Sequence, residues 1–421
     1  MNSITNYKDD ILHMEDTNVL DIVNEVGTPV YCYSLNTIRR NYQLFSENIP
    51  NGLICFAVKA NSNIAVIKAV ADMGGGADVV SEGEIRRALV AGIPSYKIIF
   101  SGVGKAEKEI IYALNKNIHQ INVESLEELC LINKIAFEQG CVAPVAIRVN
   151  PNIDGKTNDK ITTGLTINKF GVPEEMIGKI FEQNFANIDL LGVSVHIGSQ
   201  ICDKKVILNV FESVKKIVLK FKSFGCNVRR VDVGGGLGIA YLENEKVCSI
   251  EDYAQLLREN VCNLGYEVIC EPGRSIVGNA GALITEVLYT KANECIKHVI
   301  VDAGMNDFIR PALYDGKHRI IPIVQRTHQK EVVDIVGPIC ESGDIFARNY
   351  SIQTLHKGDL IAICDVGAYG ASMSSTYNSR PLLPEVLVNK SKYAVIRKRG
   401  NYEDILNKDF VPEGIYDSED T

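Results

Sequence analysis

The sequence predicts an α/β chain: a (β/α)8 barrel of the TIM type followed by a second, mainly antiparallel β domain. Three observations predict it. Short β-branched apolar runs recur eight times between about residues 53 and 270. Longer stretches with apolar residues at three- and four-residue spacing lie between them. After Gly273 this alternation stops, and short β-rich runs separated by turns take over. Alternating strands and helices call for a parallel sheet, because each return crossover needs a helix. Eight strands in about 220 residues match the size of a barrel. A doubly wound open sheet is the rival architecture.

In chain order, strands are expected over 53–58, 77–80, 97–100, 119–123, 145–149, 191–197, 230–233 and 267–270. Helices are expected over 63–73, 82–91, 106–115, 125–139, 173–185, 204–224 and 250–264, where the apolar spacing is near 3.6. Ser81-Glu82-Gly83-Glu84 and Ser125-Leu126-Glu127-Glu128 carry capping signals at two helix starts. Further strands are expected over 282–289, 296–302, 331–336, 359–364 and 386–397. The domain boundaries follow: 30–280 for the barrel, with 1–29 and 281–421 assigned to the β domain.

Composition narrows the function. With 46% hydrophobic and 23% charged residues, the 421-residue chain is an ordinary globular protein. A net charge of −8 without a dense Lys/Arg run argues against a nucleic-acid partner. No basic-then-apolar leader and no long apolar run is present, so a soluble, cytoplasmic protein with no membrane partner is expected. The 12 cysteines are scattered, never as C-x-x-C, and read as reduced thiols. The 7 histidines lack ligand spacing, so no metal is expected.

A barrel of this kind places its active site at the C-terminal ends of its strands. The polar residues there are Lys59, Asp78, Ser101, Arg148, His196 with Ser199, Gly234-Gly235-Gly236, and Glu271 with Arg274. A lysine leaving an apolar strand, as in Phe56-Ala57-Val58-Lys59, is costly unless it pairs, reaches solvent or is used. Burial would lower its pKa and free the amine to form a Schiff base with a carbonyl. Taken alone, such a lysine more often reaches solvent. Gly234-Gly235-Gly236-Leu237-Gly238 follows the seventh strand, where barrels commonly bind phosphate. Glu271-Pro272-Gly273-Arg274 closes the eighth. Its acid suits a protonated ring nitrogen and its arginine a second anion, or the two form an ion pair across a turn. His196 suits stacking or a structural hydrogen bond. Cys340-Glu341-Ser342-Gly343-Asp344 stands apart in the second domain and suits an exposed loop.

These motifs, in this order, resemble the alanine-racemase-like (fold-type III) class of pyridoxal-phosphate enzymes, and within it the diaminopimelate decarboxylase family. The similarity runs from about Gly27 to Pro384. It also rests on Gly27-Thr28-Pro29, Ala77–Glu84, Arg148-Val149-Asn150-Pro151, Lys169-Phe170-Gly171, Arg310-Pro311-Ala312-Leu313-Tyr314 and Gly367-Ala368-Tyr369-Gly370. The resemblance implies a pyridoxal 5'-phosphate enzyme converting meso-2,6-diaminopimelate to L-lysine and carbon dioxide, a carboxy-lyase of lysine biosynthesis. It implies Lys59 as the cofactor lysine and Cys340 as the acid returning a proton. Asp78, His196, Ser199, Gly234, Gly235, Gly236, Glu271, Gly273, Arg274 and Tyr369 would surround the cofactor. Arg274, Arg310, Tyr314, Glu341 and Tyr369 would meet the amino-acid substrate. In this family the Cys340 loop reaches a neighbouring subunit, which implies a homodimer with shared active sites.

Ornithine, arginine or carboxynorspermidine decarboxylases of the same fold need acidic pockets, whereas paired Arg274 and Arg310 suit a distal carboxylate. An amino-acid racemase would need a tyrosine base opposite Lys59, and a non-catalytic carrier would lack the second domain. One departure stands out: where the family usually has Thr-His-x-Tyr, this chain has Thr157-Asn158-Asp159-Lys160. It bears on local loop contacts.

Overall fold

The computed structural model describes residues 4–155, 157–158, 160–161, 163–165, 167–294, 296–326, 329–412 and 415. Eight parallel strands close on themselves: Gly52–Ala57, Gly76–Val79, Ile98–Phe100, Gln120–Val123, Ala143–Asn150, Ile188–Ser194, Arg230–Asp232 and Glu267–Cys270. Ile121 pairs with Val145 in the middle of the ring, and Cys270 pairs with Ile54 where the eighth strand meets the first. The closed barrel therefore holds over the open sheet. Its strands read as apolar runs because both faces are covered, the inner by layered side chains and the outer by helices.

The expected helices form within a residue or two of their bounds, except that the one expected over 250–264 ends at Asn260 before a short turn at Cys262–Leu264, and near 173–185. There only a short turn (Glu174–Met176) and Ile177–Phe181 are helical. Ser81 and Ser125 cap as their sequences predict, each side chain accepting the backbone N–H three residues on. Two helices of eight residues or more had no expected counterpart, Val19–Val26 and Leu35–Asn48, the latter capped by the Ser34 hydroxyl.

The second sheet is mainly antiparallel. It contains Gly281–Ala292, Lys297–Val301, Lys330–Val336, Ile345–Gln353, Leu360–Cys364, Glu385–Asn389 and Lys392–Arg397. The run expected as one strand over 386–397 is a hairpin. Val30–Ser34 also belongs here, pairing with Gly281–Ile284 and Glu385–Val388. That corrects the boundary at residue 30: the barrel's first strand begins at Gly52, and 30–34 is a fully buried strand of the β domain. The N-terminal segment packs on the same sheet, with Leu12, Met14, Val19 and Ile22 against Ile284, Ile323 and Val386. The two domains meet over the C-terminal ends of the barrel strands.

Candidate active site

Two groups of charged side chains face each other at that junction. The first is acidic and lies inside the barrel. Lys59 sits in a short helical turn (Val58–Ala60) that ends the first strand, and its Nζ donates to Asp78 Oδ2 at 2.7 Å. Burial pulls the Lys59 amine down, but the charges of Asp78, Tyr369 and Glu271 outweigh it and leave Lys59 above the ordinary lysine range. The expectation that burial would lower this pKa is corrected by a carboxylate in direct contact.

Glu271 and Asp232 are buried together, with one amide reaching both carboxyls. Asn122 Nδ2 reaches both, at 2.8 Å to Asp232 Oδ2 and 3.3 Å to Glu271 Oε1, while Ser101 Oγ donates to Glu271 Oε1 at 3.3 Å. Burial, then the charges of Asp232 and Asp78, raise Glu271 well above the usual carboxylate range. Two acids buried together in low dielectric cannot both ionise freely, and burial raises the pKa of each. Asp232 and Asn122 had no assigned role from sequence. The signal for Asp232 was an acid inside an apolar strand, with only Val233 between it and the glycine run.

A cavity of about 190 Å³ opens here, lined by Lys59, His196, Ser199, Gly236, Glu271, Gly273, Arg274, Tyr314 and Tyr369. The roomier hollow of about 680 Å³ around Arg319 and Tyr350 contains none of these residues. Of the three glycines expected to surround a phosphate, only Gly236 borders the cavity. The Gly234 N–H is taken by Asp232 Oδ1 (2.9 Å) and the Gly235 N–H by His196 Nδ1 (3.1 Å). His196 is therefore neutral with its proton on Nε2, and burial, Arg148 and Lys59 hold its pKa well below normal. Gly236 has φ 101°, and a Cβ there would fall 2.3 Å from Gly198 O, so only glycine fits. Tyr369 adopts a left-handed backbone (φ 56°), uncommon for a residue with a side chain, and its N–H bonds Ala60 O at 2.8 Å.

The second group is cationic and lies between the domains. Arg274 donates from Nη2 to Ser199 Oγ at 2.9 Å and from Nη1 to the Tyr241 hydroxyl, and its guanidinium lies 4.8 Å from the Tyr369 ring centre. Arg310, in the short helix Arg310–Tyr314, bonds through Nη1 to His318 Nε2 at 2.8 Å. Both arginines are buried, neither forms an ion pair among the described residues, and the Nε of each has no partner.

Cys340 and Glu341 do not line the cavity. They are exposed on the loop after Lys330–Val336, where Cys340 N donates to Asn378 Oδ1 (3.4 Å) and Glu341 Oε1 accepts from the Tyr377 hydroxyl (2.5 Å). Of the atypical stretch, Asp159 lies outside the described residues. Asn158 Nδ2 donates to Tyr314 O (3.2 Å) and Lys160 Nζ to Leu313 O (2.6 Å), tying the barrel's insert to the Arg310 helix.

These residues fit a phosphorylated aldehyde bearing a basic ring. An amine is present for the aldehyde, a buried acid for the ring nitrogen, and an approach open only to glycine beside an arginine for the phosphate. Residues 35–278 match the family described as pyridoxal-dependent decarboxylase, pyridoxal binding domain. The chain is 43% identical over 410 residues to the diaminopimelate decarboxylase of Aquifex aeolicus, covering 96% of this chain and 97% of the relative. It is 45% identical to that of Helicobacter pylori, covering 92% and 97%. The H. pylori enzyme crystallised with L-lysine superposes with a TM-score of 0.89 at 45% identity, covering 93% of this chain and 99% of that one. The M. jannaschii enzyme, also with L-lysine, gives 0.92 at 37%, covering 97% and 98%. A lysine/ornithine decarboxylase from Vibrio vulnificus, at 21% identity and TM-score 0.78, shares the fold. With Lys59, Glu271 and Arg274 lining one cavity and this similarity over nearly its whole length, the chain belongs to the diaminopimelate decarboxylase family of pyridoxal-dependent carboxy-lyases.

Proposed function

We propose that this protein converts meso-2,6-diaminopimelate to L-lysine and carbon dioxide, with Lys59 holding pyridoxal phosphate. When bound, the cofactor supplies an aldehyde for the substrate amine and a ring that accepts the electrons left by departing carbon dioxide. Lys59 holds it through Nζ, and Asp78 keeps that nitrogen oriented at 2.7 Å. Glu271 would face the ring nitrogen and maintain a proton there, its carboxyl held by Asn122, which also reaches Asp232. His196 would lie against the ring as a neutral group, while Gly236, Ser199 and Gly273 would take the phosphate end. Gly234 and Gly235 hold the turn in shape.

The observation that carries the substrate reading is the pair of buried arginines without an acidic partner, Arg274 and Arg310. A guanidinium stays charged at any physiological pH and binds carboxylate bidentately. Two of them suit the distal carboxylate of a diamino-dicarboxylic acid and repel the bare ammonium end of ornithine. Tyr314 and Tyr369 complete that wall.

Cys340 and Glu341 enter the site of a second copy of the chain. What supports this is their exposure, together with their absence from the lining of their own chain's cavity. In the resulting homodimer Cys340 returns the proton to the substrate carbon and Glu341 meets the distal ammonium. The enzyme works in the cytoplasm.

The test is incubation with meso-diaminopimelate and pyridoxal phosphate, measuring L-lysine and carbon dioxide. The wild type should form both, and Lys59→Ala should lose the bound-cofactor absorbance and essentially all turnover. Carbon dioxide from ornithine but none from diaminopimelate would overturn the reading.

A further inference from the structure

Two permanently charged guanidinium groups are brought together in a buried wall with no acid between them, and one uncharged side chain touches both. Tyr241 lies three residues past the glycine run, on the loop that leaves the seventh barrel strand. Its hydroxyl accepts from Arg274 Nη1, and its ring face lies 4.7 Å from the centre of the Arg310 guanidinium. The Arg274 guanidinium is also within 5.9 Å of the same ring. Behind the ring, His318 packs edge-on at 4.8 Å and bonds Arg310 at 2.8 Å. His318 is itself fixed, with Nδ1 on Cys364 O at 2.9 Å and its ring against Phe308 at 4.8 Å.

We propose that Tyr241 is a positioning residue that sets substrate specificity, holding Arg274 by its hydroxyl and Arg310 by its ring so that both converge on one carboxylate. Charge alone would drive the two guanidiniums apart. An aromatic face attracts a cation without neutralising it, and a phenol oxygen accepts an N–H without forming an ion pair. Each arginine is thus oriented with its charge uncompensated, and the Nε of each still lacks a partner. An acid in place of Tyr241 would cancel the charge that the substrate must meet. The arrangement rewards a ligand bearing a terminal carboxylate over one ending in a bare ammonium.

This inference rests on the reading that Arg274 and Arg310 receive the distal carboxylate, and the experiment separates the two. Steady-state constants for meso-diaminopimelate are measured for Arg310→Lys, Tyr241→Phe and Tyr241→Leu in the cofactor-loaded enzyme. Selectivity of inhibition by L-lysine, which keeps the distal carboxylate, over cadaverine, which has none, is measured alongside. Tyr241→Phe should raise KM about tenfold, the effect of losing one hydrogen bond to a charged group, with kcat within about threefold. Tyr241→Leu should raise KM further, and selectivity should fall in parallel in both. If Arg310→Lys raises KM while Tyr241→Phe leaves KM and selectivity unchanged, the role of Tyr241 is overturned and the substrate reading stands. If Arg310→Lys also leaves KM unchanged, both fall. A loss of kcat with KM unchanged would likewise overturn the positioning role. Should Tyr241→Leu not fold, Tyr241→Phe decides alone, since it keeps the ring and its packing.

Discussion

The acidic end of this site and its cationic end crowd like charges in opposite ways. Inside the barrel, Asp78, Asp232 and Glu271 are buried within one network. Between the domains, Arg274 and Arg310 lie against one tyrosine. Carboxyls lower their mutual repulsion by keeping a proton or by taking a lysine, and burial raises Asp232 and Glu271 while Asp78 takes Lys59. Arginines cannot shed a proton. They are held instead by neutral acceptors and aromatic faces, and their charge stays available. On the proposed reading, one end keeps a proton for the cofactor ring. The other presents fixed charge for recognition. Each chemistry follows from whether the buried group can titrate.

That contrast is sharpest at Glu271. Glu271→Gln keeps the shape but removes the acid that maintains the ring proton, and kcat should fall about 10²–10³-fold, the usual loss for one preorganised electrostatic partner. Steady-state rates at saturating substrate check this, and an undiminished kcat would mean that the ring proton does not depend on the barrel's acids.

Asp232→Asn probes that pair of acids. Burial and then Asp232 raise Glu271, so removing the neighbouring charge should let Glu271 ionise at lower pH. The acid-side fall of kcat/KM should then move to lower pH. The new amide would face the Asn122 amide, now 2.8 Å from Asp232 Oδ2. One disturbed buried bond of about 1.4 kcal/mol corresponds to roughly tenfold in kcat. A pH–rate profile that stays in place would break the idea that Asp232 raises Glu271.

The cationic end should register in stability more than in rate. Burial, then the charge of Arg310, holds His318 down to about 3. Its folded pKa is depressed, so its contribution is complete above the unfolded value near 6.5. That contribution is lost as pH falls, because only the unfolded chain takes up the proton. Between pH 7 and pH 5 the wild type should lose about 2 kcal/mol more than His318→Gln, as one pKa unit is about 1.4 kcal/mol. Urea unfolding at the two pH values measures it. Equal losses would show that His318 is not held neutral.

The eight strands, six of the seven helix candidates, the change of grammar after Gly273, and the placement of Lys59, His196, Glu271 and Arg274 at the barrel mouth were legible in the sequence. Periodicity and strand-end chemistry are local properties. The start of the barrel was not legible. Val30–Ser34 is a buried apolar strand in either domain, and only its pairing with Gly281–Ile284 assigns it. Nor was the sign of the Lys59 shift, since Asp78 is 19 positions away in sequence and 2.7 Å away in space. Tyr241 carried a faint signal in its closeness to the glycine run, and His318 carried none.

By itself, then, the sequence determined a barrel with an amine, an acid and a glycine turn at its mouth. Residue type and spacing suffice for that, because in a barrel every strand end faces the same side. Only the tertiary structure decided which charges lie together: Asp78 with Lys59, Asp232 with Glu271, and Tyr241 between two arginines from different domains. Electrostatic energy depends on distance and burial, and chain folding sets both across gaps of tens to hundreds of residues.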